Sequence, residues 1–156
     1  MRNSYVLVGI VGVVLILWVI GTSFAFAEVV SPVPKLENHI EISRLGANSN
    51  GHTSFSTEKM KWMHWFNSGR RTSETMVKGL QFYHIAKSLS MGFHPAPRKQ
   101  FLLIIQGTLR IEASNGEKRN FSPGSIVLLE DIAGTKGHIS RVIGPEDVYA
   151  AVMPVP

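Results

Sequence analysis

The sequence predicts an all-β domain that begins near residue 77 and runs to the C-terminus. Short β-rich segments follow one another in this region, with glycine or proline turns between them. Asn115-Gly116 is a strong hairpin signal because both central residues of that turn take positive φ. After residue 77, no stretch shows the 3.6-residue apolar period of a helix. Many short strands with such turns are typical of a β-sandwich or a β-barrel.

Seven segments of this region are predicted strands. The run 101–105 is continuously apolar, as expected for a strand that is buried on both sides or lines a small barrel. Residues 109–113 alternate apolar and polar side chains, which predicts one buried face. The Ser122-Pro123-Gly124 turn separates the fourth segment from the fifth. In order, the segments are 80–86, 101–105, 109–113, 118–121, 125–129, 138–143 and 148–152.

Residues 1–27 are predicted to be a signal peptide or a membrane anchor. Arg2 is followed by the apolar run 6–20, and the segment ends in Ala25-Phe26-Ala27, a pattern typical of a cleaved secretory signal. The alternative is an uncleaved anchor, since residues 6–27 are long enough to cross a bilayer. Either interpretation predicts that the remainder is exported, as a periplasmic or secreted domain or as one anchored to the membrane.

Residues 28–76 are interpreted as a linker and an N-terminal arm. Pro32, Pro34 and the polar loop 46–51 indicate irregular structure, whereas 59–66 is rich in aromatic residues. We expect this aromatic segment to pack on the barrel as an arm. Contact with a lipid surface is the alternative.

Charge and composition exclude several classes of function. The net charge is +5, and because Arg2 is the only charge in the first 27 residues, the remainder carries 15 basic and 11 acidic residues, or +4. The basic residues are scattered, as on an ordinary solvated surface, rather than gathered into the dense stripe that nucleic-acid binding needs. The absence of cysteine excludes disulfides, thiolate catalysis and iron–sulfur clusters.

A short motif at the start of the second strand resembles a known metal motif. His94-x-Ala96-x3-Gln100-x6-Gly107 has the spacing of the first motif of the cupin superfamily, His-x-His-x3-Glu-x6-Gly, with Ala96 and Gln100 at the second His and the Glu positions. Together with Phe121-Ser-Pro-Gly124 and a histidine downstream, it looks like a group of small single-domain bacterial cupins of unassigned activity. The resemblance covers about residues 79–153. It implies an antiparallel jelly-roll (cupin) barrel over 77–156, often homodimeric, with its site in the barrel mouth.

The resemblance also implies a metal site, from which this sequence departs. Where the second motif of the family has Pro, this chain has Glu130; His138 comes three residues late, and Val142 stands in place of Asn. His94 and His138, with Gln100 as a weak third ligand, are therefore the predicted ligands of a divalent ion (Fe, Mn, Ni or Zn). The alternative is that these histidines only form hydrogen bonds. Other groups that can complete the site are His84, Glu130 and Asp131, although Glu130-Asp131 is better interpreted as a solvated turn.

Three functions fit these residues. The first is an exported metal-dependent enzyme (oxygenase, isomerase or lyase) that acts on a small organic molecule oriented by Arg98. The second is a metal-free binding module that holds its ligand in an apolar cavity. The third is a structural dimer that uses the aromatic arm 62–66. The predicted apolar contacts to the small molecule are Leu102 and Ile104, and the predicted cavity also includes Ile126 and Leu128.

Overall fold

A computed structural model describes residues 38–156, and this part of the chain contains eleven strands and no helix. The predicted signal peptide or anchor, residues 1–27, and the following residues to 37 lie outside the described part. The strands are β1 (His39–Ala47), β2 (Thr53–Lys61), β3 (Met63–His64), β4 (Arg70–Arg71), β5 (Gln81–Ile85), β6 (Gln100–Gln106), β7 (Thr108–Ala113), β8 (Lys118–Phe121), β9 (Ile126–Leu129), β10 (His138–Ile143) and β11 (Val148–Pro154).

Six strands form one sheet in the order β2-β1-β9-β6-β11-β5. Strand β1 pairs with β9 in parallel, and the other pairings in this sheet are antiparallel. A second sheet has the order β10-β7-β8, and β3 pairs with β4 in a separate hairpin. The residues from 38 onward thus form two main sheets rather than one closed barrel.

The two sheets share one core because the alternating side chains of each present an apolar face to the other. The six-stranded sheet contributes Leu45, Leu102, Val127 and Val152, among others, and the three-stranded sheet contributes Leu109, Ile111, Ala113 and Phe121. A smaller apolar cluster, with Ile42 and Leu128, lies on the other face of the six-stranded sheet. Both faces of β9 are therefore buried, which explains its continuously apolar sequence.

Over residues 38–156 the prediction of an all-β fold is confirmed, and each of the seven predicted strands corresponds to one of β5–β11. The interpretation of 28–76 as linker and arm needs correction, because β1 and β2 are full members of the six-stranded sheet and place Leu45 and Phe55 in the core. The aromatic segment also differs from expectation. Trp65 and Phe66, on the β3–β4 hairpin, are exposed rather than packed.

No helix within residues 38–156 combines the length and the hydrophobicity needed to cross a membrane.

Candidate functional site

A cavity of about 350 Å³ opens between the two sheets, and four of the six predicted site residues line it: His94, Gln100, Leu102 and His138. Its wall comes from β5, β6, β7, β9, β10, β11 and the loop that precedes β6. The apolar residues of the wall are Ile85, Leu89, Met91, Ala96, Pro97, Leu102, Leu109, Leu129 and Val152. The polar residues are Tyr83, His84, His94, Gln100, His138 and Ser140.

His94 and His138 lie side by side in this wall. Their backbones form an isolated antiparallel bridge, in which His94 N–H donates to His138 O at 3.0 Å and His138 N–H donates to His94 O at 2.9 Å. The centroids of their rings are 4.5 Å apart. His138 begins β10, an outer strand of the three-stranded sheet, and the bridge to this strand brings together two histidines that are far apart in sequence.

Gly137 makes this approach possible. Its φ is +70°, and a Cβ at this position would lie 2.2 Å from the backbone carbon and oxygen of His94. The turn is held from the other side by buried Thr53 on β2, whose hydroxyl donates to Gly137 O at 2.7 Å. The close pairing of the two histidines therefore depends on glycine at 137 for both its dihedral angle and its size.

Each of the two imidazoles has its Nδ1 held by an oxygen acceptor. His94 Nδ1 lies 2.9 Å from Gly92 O, and His138 Nδ1 lies 2.5 Å from Asp131 Oδ2. A carbonyl oxygen can only accept, so Nδ1 of His94 carries the proton; an ionised Asp131 assigns the same tautomer to His138. The lone pair of each neutral ring is then on Nε2, as in histidines that bind metals.

Asp131, the second residue after β9, is fully buried, which corrects its interpretation as part of a solvated turn. Its backbone carbonyl accepts a hydrogen bond from Ala96 N–H at 2.9 Å, so the segments that carry the two histidines are both tied to this residue. Its second carboxylate oxygen, Oδ1, has no hydrogen-bond partner among the described residues. The sequence offers Asp131 as a further candidate for the site, but its contact with His138, seven residues later, depends on how the loop between them folds back.

Glu130, the preceding residue, points to the opposite side and does not enter the cavity. Its carboxylate forms ion pairs with Arg44 and with Lys99, the latter at 2.7 Å. Burial raises the pKa of Glu130, but the hydrogen bonds and charges of Lys99 and Arg44 outweigh burial and hold the pKa below its usual value. Glu130 is thus ionised, and its charge is paired with Arg44 and Lys99 outside the cavity.

Gln100 begins β6 and is almost completely buried in the wall of the cavity. It pairs across the sheet with Leu129, two residues before Asp131. Its amide oxygen, Oε1, has no hydrogen-bond partner among residues 38–156. An unpaired buried amide oxygen is costly, so the position is suited to a ligand that supplies the missing donor or cation.

The separation of the His94 and His138 rings is compatible with two imidazoles that bind one divalent ion. An ion about 2.1 Å from an Nε2 atom lies roughly 3.2 Å from the ring centroid, so two rings on one ion have centroids no more than roughly 6.5 Å apart. The observed 4.5 Å satisfies this limit. Within the described part of the chain, no group of three His, Cys, Asp or Glu side chains gathers as a metal site, so the set depends on Gln100.

The remaining predicted residues are only partly brought to the site. Leu102 lines the cavity, whereas Ile104 is buried in the core outside the lining. Ile126 and Leu128 belong to the cluster on the other face of the sheet, which corrects their assignment to the cavity. The alternation of β9 instead presents Leu129 to the cavity.

The two predicted polar contacts at the edge of the cavity, Arg98 and His84, are engaged elsewhere. Arg98 is exposed, donates from Nη2 to Gln81 Oε1 at 3.1 Å and does not line the cavity. His84 is in the lining, but its Nε2 lies 2.8 Å from Asp147 Oδ2 and its ring stacks on Tyr149 with 4.9 Å between centroids. Neither side chain is free to complete the set of donors around the histidine pair.

The sequence matches no protein-family model and no curated protein.

Proposed function

We propose that this chain is an exported cupin-type protein that binds a small organic molecule in the cavity, at a divalent ion held by His94, His138 and Gln100. We further propose that it is an enzyme of the oxygenase, isomerase or lyase type. One observation carries the proposal. Two adjacent imidazoles have their Nδ1 atoms fixed by acceptors, and a buried amide oxygen without a partner lies in the same, mostly apolar cavity wall.

Each side chain has a distinct part in such a site. Asp131 fixes the ring of His138 and raises its basicity as a ligand, and Gly92 O does the same for His94 more weakly. Gln100 adds a neutral oxygen. An ion in this position would supply Lewis-acid chemistry to an oxygen of the substrate. The apolar wall excludes water and so strengthens polar interactions inside the cavity.

A metal-free binding module is the second candidate. The weakness of the metal donor set favours it. Gln is a weaker ligand than the Glu of the cupin motif, and the described residues add no third His or acidic ligand. In this version the Nε2 atoms and Gln100 Oε1 hydrogen-bond a small molecule directly. In both versions a homodimer fits the resemblance, since cupins of this kind are often homodimeric.

Metal content separates the two candidates. We expect the purified full chain to hold close to one equivalent of a divalent metal, and His94→Ala and His138→Ala to lose it. His64→Ala, on the exposed β3–β4 hairpin, is the matched control and retains the metal. A folded wild-type protein that is metal-free and resists loading with Fe, Mn, Ni and Zn would favour the binding module.

A further inference from the structure

The wall of the cavity, rather than its histidines, carries information about the ligand. Its deep part is aliphatic, with Leu102, Leu109, Leu129 and Val152 from four different strands. At the mouth, Leu89 and Met91 line the cavity and are nevertheless 42% and 38% exposed. An apolar wall that continues to an apolar, solvent-accessible mouth provides burial for an apolar ligand along the whole path.

Charged side chains are excluded from this wall. Among residues 38–156, no Lys, Arg, Asp or Glu contributes to the lining. Two basic residues precede Gln100, and both interact outside the cavity. Arg98 hydrogen-bonds Gln81, and Lys99 forms an ion pair with Glu130. Asp131 reaches the cavity only through His138. A ligand with charges along its length would therefore bury them without partners, at a cost of several kcal/mol or more each.

Polar groups are concentrated around one part of the cavity. His94 and His138 are in ring contact, and Gln100 is joined to the same region through its pairing with Leu129, two residues before Asp131. Tyr83 and His84 are exposed residues at the rim. One polar group of the ligand can thus meet the two Nε2 atoms and the unpaired Oε1 while the rest of the molecule contacts aliphatic carbon.

We infer that the metal-free cavity takes a small molecule with an apolar body and a single uncharged polar end, such as a hydroxyl or carbonyl group. The polar end lies at His94, His138 and Gln100, and the body lies against the aliphatic wall. The volume of about 350 Å³ is at the small end of the range for ligand cavities, which limits the body to roughly one ring or a short branched chain. This inference rests on the proposed use of the same cavity, but it does not require the metal.

The test compares three six-membered-ring probes that differ in polarity: cyclohexylmethanol, cyclohexanecarboxylate and inositol. The full chain in lipid nanodiscs is stripped of metal with a chelator, so that no ion compensates the carboxylate. Binding is followed by methyl NMR at Leu102 and Met91. We expect cyclohexylmethanol to shift these signals saturably and to bind at least about tenfold more tightly than the other two probes, because burying a charge or several hydroxyls is costly.

Two substitutions locate the binding. Leu89→Glu introduces a carboxylate at the mouth and is expected to weaken cyclohexylmethanol at least about fivefold, through lost apolar contact and an unfavourable charge. Val77→Glu is the control, since Val77 has a similar exposure of 39% and lies outside the lining. Both variants change exposed positions, so both are expected to fold, and equal effects of the two would overturn the inference.

The inference also fails if inositol or the carboxylate binds as tightly as the alcohol, or if the alcohol does not bind at all. If the ligand inference fails in this way but the purified chain retains metal, the proposed metal centre is not contradicted. Conversely, a chain that never binds metal but still prefers cyclohexylmethanol would contradict the metal centre and support the ligand class.

Discussion

Glu130 and Asp131 are consecutive residues with the same functional group, yet they lie in opposite environments. The carboxylate of Glu130 is at the surface between Arg44 and Lys99. The carboxylate of Asp131 is fully buried, and one of its oxygens contacts His138 while the other has no partner among the described residues. The first arrangement is typical of a surface ion cluster, and the second of a functional site.

The same separation continues on the neighbouring strand. Lys99 faces outward to Glu130, whereas Gln100 is buried in the cavity wall opposite Leu129. Successive side chains point to opposite faces of the sheet. The neighbouring ends of β9 and β6 therefore carry two polar clusters, one on each face. The outer one adds a little stability. The inner one leaves Gln100 Oε1 and Asp131 Oδ1 buried without hydrogen-bond partners among the described residues, which costs stability and indicates that these atoms are present for binding rather than for folding.

The largest expected effect comes from removing the buried carboxylate. Asp131→Ala leaves His138 Nδ1 buried without its acceptor, and we expect the free energy of unfolding to fall by about 3–5 kcal/mol. Glu130→Ala removes a partly buried carboxylate whose partners, Arg44 and Lys99, are about half exposed, and should cost only about 1 kcal/mol. Urea unfolding of both variants measures the difference. Equal losses would show that the two carboxylates are not distinguished by burial.

The second effect tests the backbone that holds the inner cluster together. Gly137→Ala places a Cβ against the backbone of His94 at positive φ, so we expect a loss of roughly 2–5 kcal/mol and separation of the two histidines. Gly134→Ala is the control. Gly134 also has positive φ, but its Cβ would meet no atom within 4 Å, so only the strain of roughly 1–2 kcal/mol is expected. Thermal unfolding and the shift of the His94 amide signal report the outcome, and similar effects of the two variants would contradict the close approach.

The third effect concerns the metal affinity of the inner cluster. Asp131→Asn keeps the shape of the side chain but removes the negative charge that orients His138, so we expect metal affinity to fall by roughly 10–100-fold. Gln100→Glu acts in the opposite direction, because an anionic oxygen is a stronger ligand than an amide. Competition with a chelator of known affinity measures both. An unchanged metal affinity in Asp131→Asn would show that Asp131 does not contribute to metal binding.

The smallest effect is the pH dependence of the outer cluster. Because the folded-state pKa of Glu130 is below its ordinary value of 4.5, its ionised form stabilises the fold above that pH, and the contribution is lost as the pH falls through the folded-state pKa. We expect Glu130→Gln to be less stable than wild type by about 0.5–1 kcal/mol at pH 7. The gap should close in acid. A gap that widens on acidification would mean that the sign of the shift is wrong.

The sequence predicted most of the fold because its signals there are local. Asn115-Gly116, the apolar run of β6 and the alternation of β7 each depend on a few adjacent residues. Strands β1 and β2 were missed because they are largely polar, with few buried side chains such as Ile42, Leu45, Thr53 and Phe55; the alternation Thr53-x-Phe55 was the available signal.

The site was predicted less completely, for a different reason. Motif spacing found His94 and Gln100, and His138 was assigned as the downstream histidine although it lies three residues beyond the motif position. The structure places all three in the wall of one cavity. The contact of Asp131 with His138 depends on how the loop between them folds back, and the support of Gly137 by Thr53 depends on packing between distant segments. No local pattern encodes either contact. Arg98 was assigned by strand parity, but its position among prolines before β6 leaves it exposed.

X-ray absorption spectroscopy of the zinc-loaded full chain tests the central claim most directly, because it counts the ligands on the metal. We expect two imidazole nitrogens at about 2.1 Å together with oxygen ligands. The imidazole signal should fall to one in His94→Ala and in His138→Ala, and stay at two in His64→Ala. A first shell of oxygens without imidazole, or a spectrum that neither site variant changes, would contradict a metal centre built on His94 and His138.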